Sequence, residues 1–170
     1  ISGWKDKKGK LPRGRGIGVG NGGFVSGAGY PCYRTDLPHA VALIRMNDDG
    51  TMATLYTGAV DIGQGSDTVL LQMAAEAMGY RFEDMKIVAS DTDLGTHDFG
   101  AYASRETLMG GWAVKKAGKE IKKEILKMAA EMTGFLPEQL DARQGVVFQL
   151  AHPEEKLTYA EVARAYFVKY

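Results

Sequence analysis

The run Gly63-Gln64-Gly65-Ser66-Asp67-Thr68 holds residue types that could cradle an anion or a polar cofactor. Residues 54–60 read as a strand, and Val69, Leu70, Met73, Ala74, Ala77 and Met78 recur at helical spacing until Gly79. A helix starting just behind glycines offers backbone N–H groups without helical partners and the positive end of its dipole, a setting that suits phosphate. Gln64, between Gly63 and Gly65, presents an amide that a ligand can approach unobstructed, and Ser66 opens the helix. Without a ligand the same residues make a polar turn whose amide bonds neighbouring backbone.

A second stretch, residues 91–111, follows a buried strand at Met85–Ala89 and leads into a long helical pattern. Ala103, Ser104, Arg105, Glu106 and Thr107 stand at that helix's start, with Ser104 as its N-cap and Thr107 in its first turn. An N-cap region is also an anion cradle, so capping and binding are compatible. His97 and Asp98, with Asp91 and Asp93, could suggest a divalent metal site. Their spacing matches no closed zinc pattern, and loop acids favour Asx turns, which are expected here instead. His39 and His152 have no partners in a catalytic arrangement, and no nucleophile elbow occurs.

Taken together, Val60-Asp61-Ile62-Gly63-Gln64-Gly65-Ser66-Asp67-Thr68 and Tyr102-Ala103-Ser104-Arg105-Glu106-Thr107 resemble the two cofactor-binding segments in the second half of the molybdopterin domain of the molybdenum hydroxylases. This is the xanthine oxidase and aldehyde oxidoreductase family, and the closest flavour is the large subunit of 4-hydroxybenzoyl-CoA reductase. The resemblance runs from about Arg13 to the C-terminus. It implies that Gly63, Gln64, Gly65 and Ser66 bind the dithiolene or pterin part of a molybdenum–molybdopterin cofactor, expected in its cytosine dinucleotide form. It implies that Ala103, Ser104, Arg105, Glu106 and Thr107 hold the pterin and phosphates, with Ala103 the small residue beside substrate or the metal's oxygen shell. Arg105 and Glu106 depart from the small or polar residues of some relatives, so contacts there are expected from backbone. Molybdenum itself would be held by the pterin's sulfurs, with no protein ligand.

The resemblance also implies a reaction, hydroxylation or reductive dehydroxylation of an aromatic or N-heterocyclic substrate. It implies partners too: the rest of the molybdenum subunit, an iron–sulfur subunit and an FAD subunit. The family's general base, a glycine-flanked glutamate, has no counterpart; Glu76, Glu83 and Glu120 lack that context. The family's Gly-Gly-Phe-Gly-type segment is absent as such, because Gly22-Gly23-Phe24 matches in letters only. The chain is therefore expected to be a fragment or split subunit, inactive alone, and its start at Ile1 fits a processed or truncated piece. Two other readings stay open: a non-catalytic anion- or nucleotide-binding module, and a structural subunit whose long helix docks a partner.

Composition sets the bounds. The 170 residues are 45% hydrophobic, enough for one domain with a core. Twenty-one basic residues balance twenty-one acidic ones, which points away from nucleic acid and membrane surfaces. No apolar run approaches the roughly 20 residues of a membrane span. The single Cys32 excludes an internal disulfide, and iron–sulfur ligation takes several cysteines, so such a centre belongs on another polypeptide in a reducing, cytoplasmic setting.

Around the motifs, residues 1–12 read as a solvated linker and 13–170 as a partial cofactor-binding domain. The glycine-rich stretch 14–24 lacks a P-loop lysine and reads as a strand at 16–20. Residues 40–46 and 52–60 flank Asn47-Asp48-Asp49-Gly50 as a hairpin. A helix is expected over 104–133, where Gly110, Gly111 and Gly118 would let it lie close to a ligand or to the sheet, and Gly134 ends it. A turn at 136–140, a strand at 145–149 and a capping box at Thr158 and Glu161 complete the pattern. Phe24, Tyr30, Tyr33 and Tyr102 could line a channel for an aromatic ring, Tyr102 having the best case inside the cofactor loop, but core or interface roles are favoured. The mixture, without strict βαβ alternation, predicts an α+β fold with helices packed on a mixed sheet.

Overall fold

Residues 11–24 and 39–170 are described by the computed structural model. The hairpin forms as its turn residues require: β1 (Ala42–Met46) pairs antiparallel with β2 (Ala53–Thr57), with Gly50 at φ 70° in the connecting turn. From β2 the chain passes through a loop into α1 (Ser66–Met78) and returns as β3 (Met85–Ala89), parallel to β2. One βαβ unit thus sits inside the α+β arrangement. The order β1-β2-β3 makes a mixed three-stranded sheet. A single π-helical turn (Glu106–Gly110) then runs into α2 (Gly111–Thr133), which ends at Gly134 in the left-handed region. A second, antiparallel sheet follows: β4 (Leu140–Arg143), β5 (Val146–Gln149) and β6 (Lys156–Thr158). The chain closes with α3 (Tyr159–Lys169).

The core lies where α1 and α2 cover the first sheet. Ala53 and Leu55 of β2, Leu70, Ala74 and Met78 of α1, and Val114, Ile125 and Ala129 of α2 are buried together. The small residues of α2 serve a different neighbour from the expected one. A Cβ on Gly111 would meet the Met73 sulfur, one on Gly118 would meet Ala77, and one on Gly110 would touch Leu70. All three belong to α1, so the glycine edge brings the two helices together, not α2 against a ligand or the sheet.

The second sheet and α3 are tied to the C-terminal end of α1. The Gly79 carbonyl accepts from the Gly145 N–H (2.8 Å), and the Tyr159 hydroxyl donates to the Met78 carbonyl (2.6 Å). Tyr80 meets Tyr159 edge-on at 4.7 Å and donates to the Gly50 carbonyl (2.8 Å). The capping box forms as expected, with Thr158 accepting from the Glu161 N–H and the Glu161 carboxylate accepting from the Thr158 N–H (2.7 Å). Tyr159→Phe would leave a buried carbonyl without its donor, and a loss of about 1–2 kcal/mol is expected in urea denaturation.

Three expectations need correction. Residues 16–20 form no strand; they are exposed, and no described segment pairs with their backbone. The long helix does not begin at 104, since Ala103 and Ser104 both adopt left-handed backbone (φ 49° and 57°) and helical turns start only at Glu106. Strands β4 and β6 were missing from the sequence reading, because Asp141, Arg143, Lys156 and Thr158 give them little apolar signal. No described helix is long and apolar enough to cross a membrane.

Candidate functional site

The two motifs meet because β2 and β3 are adjacent and parallel. Their following loops, 58–65 and 90–105, emerge at the same edge of the sheet, the carboxyl end where open α/β sheets gather their ligands. Direct bonds stitch the loops together. The Gly58 N–H donates to the Thr96 hydroxyl (3.2 Å), which donates to the Val41 carbonyl (2.6 Å), and Ser90 donates to the Ala59 carbonyl (2.9 Å).

The first loop is organised by two side chains. Gln64 Oε1 accepts from the Ile62 N–H (2.6 Å), and its Nε2 donates to the Val60 carbonyl and the Ser66 hydroxyl (2.9 Å each). The amide therefore holds the turn in shape, as the ligand-free reading expected, while Gly63 and Gly65, at φ 104° and 78°, have open space where a side chain would stand. Asp61 was missed. Its carboxylate accepts from the N–H groups of Gly63 (2.8 Å), Gly65 and Asp67 (both 3.3 Å), occupying the start of α1. These bonds, the one from Gly63 foremost, hold Asp61 below the usual carboxylate range. The only signal for it in the sequence was an aspartate two residues before a glycine at a helix start. Asp67 goes the other way: burial, then the nearby Asp61 charge, pushes it up.

The second loop turns on Arg105, whose side chain is 1% exposed. Its guanidinium donates to Asp98 and to the carbonyls of Gly100 (3.0 Å) and His39. The rings of Phe99 and Tyr102 stand 5.9 and 5.7 Å from its centre. Asp98 also accepts from the Gly100 N–H (2.8 Å), and Asp91 accepts from the N–H groups of Asp93 and Leu94, so the expected Asx turns are present. No group of three metal-ligating side chains occurs among the described residues. Ser104 does not cap the helix. A cap needs extended backbone for its hydroxyl to reach the next turn's N–H groups, and Ser104 is left-handed. Instead Ser104 and Thr107 are exposed, while Ala103, Arg105 and Glu106 face inward.

Glu106 lies beside α1, its carboxylate 3.5 Å from the Cβ position of Gly110 and 3.7 Å from Arg105. Burial, reinforced by Asp98 and only partly offset by Arg105, pushes it up to about 7. Of the aromatic candidates, Phe24 is exposed and Tyr102 packs on Arg105; Tyr30 and Tyr33 lie outside the described residues.

The edge is built from glycine backbone, an internally braced glutamine and two left-handed residues ahead of a π turn. The chain belongs to the molybdopterin cofactor-binding domain family of the molybdenum hydroxylases, whose model matches residues 1–170. It is 34% identical over 144 residues to the xanthine dehydrogenase molybdenum-binding subunit of Escherichia coli O157:H7, which covers 84% of this chain and 18% of that protein. It is 31% identical over 166 residues to the 6-hydroxypseudooxynicotine dehydrogenase complex subunit gamma of Paenarthrobacter nicotinovorans, covering 97% and 20%. Quinoline 2-oxidoreductase from Pseudomonas putida 86 shares the fold with a TM-score of 0.71 at 30% identity, over 77% of this chain and 16% of that one. The chain thus spans about a fifth of the length of the curated relatives it matches. Those relatives are subunits by name.

Proposed function

We propose that this chain forms the part of a molybdenum oxidoreductase's large subunit that holds the molybdopterin cofactor between loops 58–65 and 90–105. The observation that carries this reading is their convergence at the carboxyl ends of parallel β2 and β3, with Gly63, Gln64 and Ser104 exposed and Gly65 half-buried. The residues present fit a pterin: side-chain-free backbone at Gly63 and Gly65 admits a planar ring, and Gln64, which braces that turn, keeps a second Oε1 lone pair for a ligand donor. Ser66, Ala103 and Thr107 complete the set, with Ala103 backbone and the Ser104 and Thr107 hydroxyls toward the cofactor. Arg105 and Glu106 contribute backbone only, because their side chains are turned inward. Holding Ala103 and Ser104 in left-handed conformation costs on the order of 1–3 kcal/mol each, strain of the kind concentrated at ligand clamps.

When bound, the cofactor would supply the redox and oxygen-transfer chemistry, and this chain's residues position it. In the assembled enzyme we place an aromatic or N-heterocyclic substrate, a cytosine dinucleotide form of the cofactor, and iron–sulfur and FAD centres on partner subunits in the cytoplasm. A bare anion-binding module is disfavoured by Asp61, which already occupies the N–H groups at the start of α1, and by Asp67 and Glu106 close by. The test is molybdenum content, by plasma mass spectrometry, of the native assembly containing this chain. About one molybdenum per copy is expected, and Gln64→Ala should lower that occupancy several-fold. A molybdenum-free, partner-complete assembly would overturn the reading.

A further inference from the structure

One guanidinium serves two buried carboxyl groups at the base of the second loop. Arg105 pairs with Asp98 and lies 3.7 Å from Glu106, and all three side chains are at least nine-tenths buried. Asp98 Oδ1 takes both the Arg105 donor and the Gly100 N–H, whereas Asp98 Oδ2 and both Glu106 oxygens find no protein donor. Two buried carboxylates against one cation would leave a full uncompensated charge, which is expensive in a low-dielectric setting. Asp67, the acid facing this cluster from α1, only adds negative charge. Within the Arg105, Asp98 and Glu106 trio the charge balances if one carboxyl is protonated, and the half-buried Asp67 favours the same outcome. Asp98, with two donors on one oxygen, keeps its charge; Glu106, with none, takes the proton.

We propose that Glu106 is a buried proton-holding residue whose carboxyl O–H donates to Asp98, completing an Arg105–Asp98–Glu106 lock that sets loop 98–105. Asp98 and Glu106 face the same Arg105 nitrogen, so a bond between them satisfies one orphaned oxygen on each residue. The lock ties the π turn to the loop that carries Ala103 and Ser104. Glu106 is thereby a positioning residue, and its bearing on the cofactor rests on the reading given above.

The sign of the pH effect follows from linkage. A carboxyl raised from its ordinary value to about 7 keeps its proton in the folded chain after the unfolded chain has lost it. Its stabilising contribution is therefore full below about pH 4.3 and is lost as pH rises to about 7. The thermal midpoint of the chain should fall by roughly 5–10 °C across that window, and Glu106→Gln, which keeps the donor without the ionisation, should remove that fall. Infrared difference spectra near pH 6 should show a protonated carboxylic acid band that is absent from Glu106→Gln. Asp98→Asn should also abolish the band, because Glu106 then becomes the single carboxylate facing Arg105. No such band in the wild-type chain, or its persistence in Glu106→Gln, would overturn the proposal. Neither readout depends on bound cofactor, so a failed molybdenum assay leaves the lock standing and a missing band removes it whatever the molybdenum content.

Discussion

Arg105→Met should destabilise the chain by about 3–5 kcal/mol in urea denaturation, the largest effect expected of any single substitution here. Methionine nearly matches the volume and can still pack between Phe99 and Tyr102, so the loss isolates the charge and its bonds. Removing the cation leaves the Asp98 charge buried with neutral donors alone, and takes the Arg105 donors from the carbonyls of Gly100 and His39. An uncompensated buried charge, more than the lost attraction, dominates the cost. The double variant Arg105→Met/Asp98→Asn should recover a substantial part, since its remaining groups are neutral or can protonate. A single-variant cost below about 1 kcal/mol would show that Arg105 is solvated rather than locked.

The second large effect is expected at Gly58, where β2 hands over to the first loop. A Cβ there would collide with the Thr96 carbonyl oxygen and press on Asp98, with the Asp98 backbone N at 3.0 Å and its Cβ at 3.1 Å. The obstacles are backbone atoms of the second loop, which cannot swing aside as a side-chain tip can. Gly58→Ala should therefore cost roughly 2–3 kcal/mol and displace loop 96–98. It should also weaken the Thr96 bridge from the Gly58 N–H to the Val41 carbonyl. Hydrogen exchange at residues 96–105 is the measurement; unchanged protection with unchanged stability would show that the loops are not rigidly coupled. Gly65→Ala makes a useful contrast, because nothing lies near its Cβ position and only the left-handed backbone resists.

Much of the scaffold was readable without coordinates. Apolar residues at 3.6-residue spacing fixed α1 between Ser66 and Met78, and Gly79 ended it because its left-handed conformation suits glycine. Asn47-Asp48-Asp49-Gly50 marked the hairpin, and Thr158 with Glu161 marked the start of α3, since both are local chemistry. The two cofactor-loop segments were likewise legible as motifs. Sheet order and the fate of buried polar side chains were not, because both depend on residues far apart in sequence. That α2's glycines face α1 follows only from Met73 and Ala77 meeting them.

By itself, then, the sequence determined α1, the hairpin, the start of α3, the α+β class and the family, because periodicity, turn residues and motif spacing are properties of short segments. Only the tertiary structure decided that Asp61 occupies the start of α1, that Ser104 is left-handed and caps nothing, and that Arg105 is a buried hub joining Asp98, Gly100 and His39. The physical reason is burial. A charged residue in sequence reads as solvated by default, and whether it is instead desolvated and paired depends on the groups that folding brings around it.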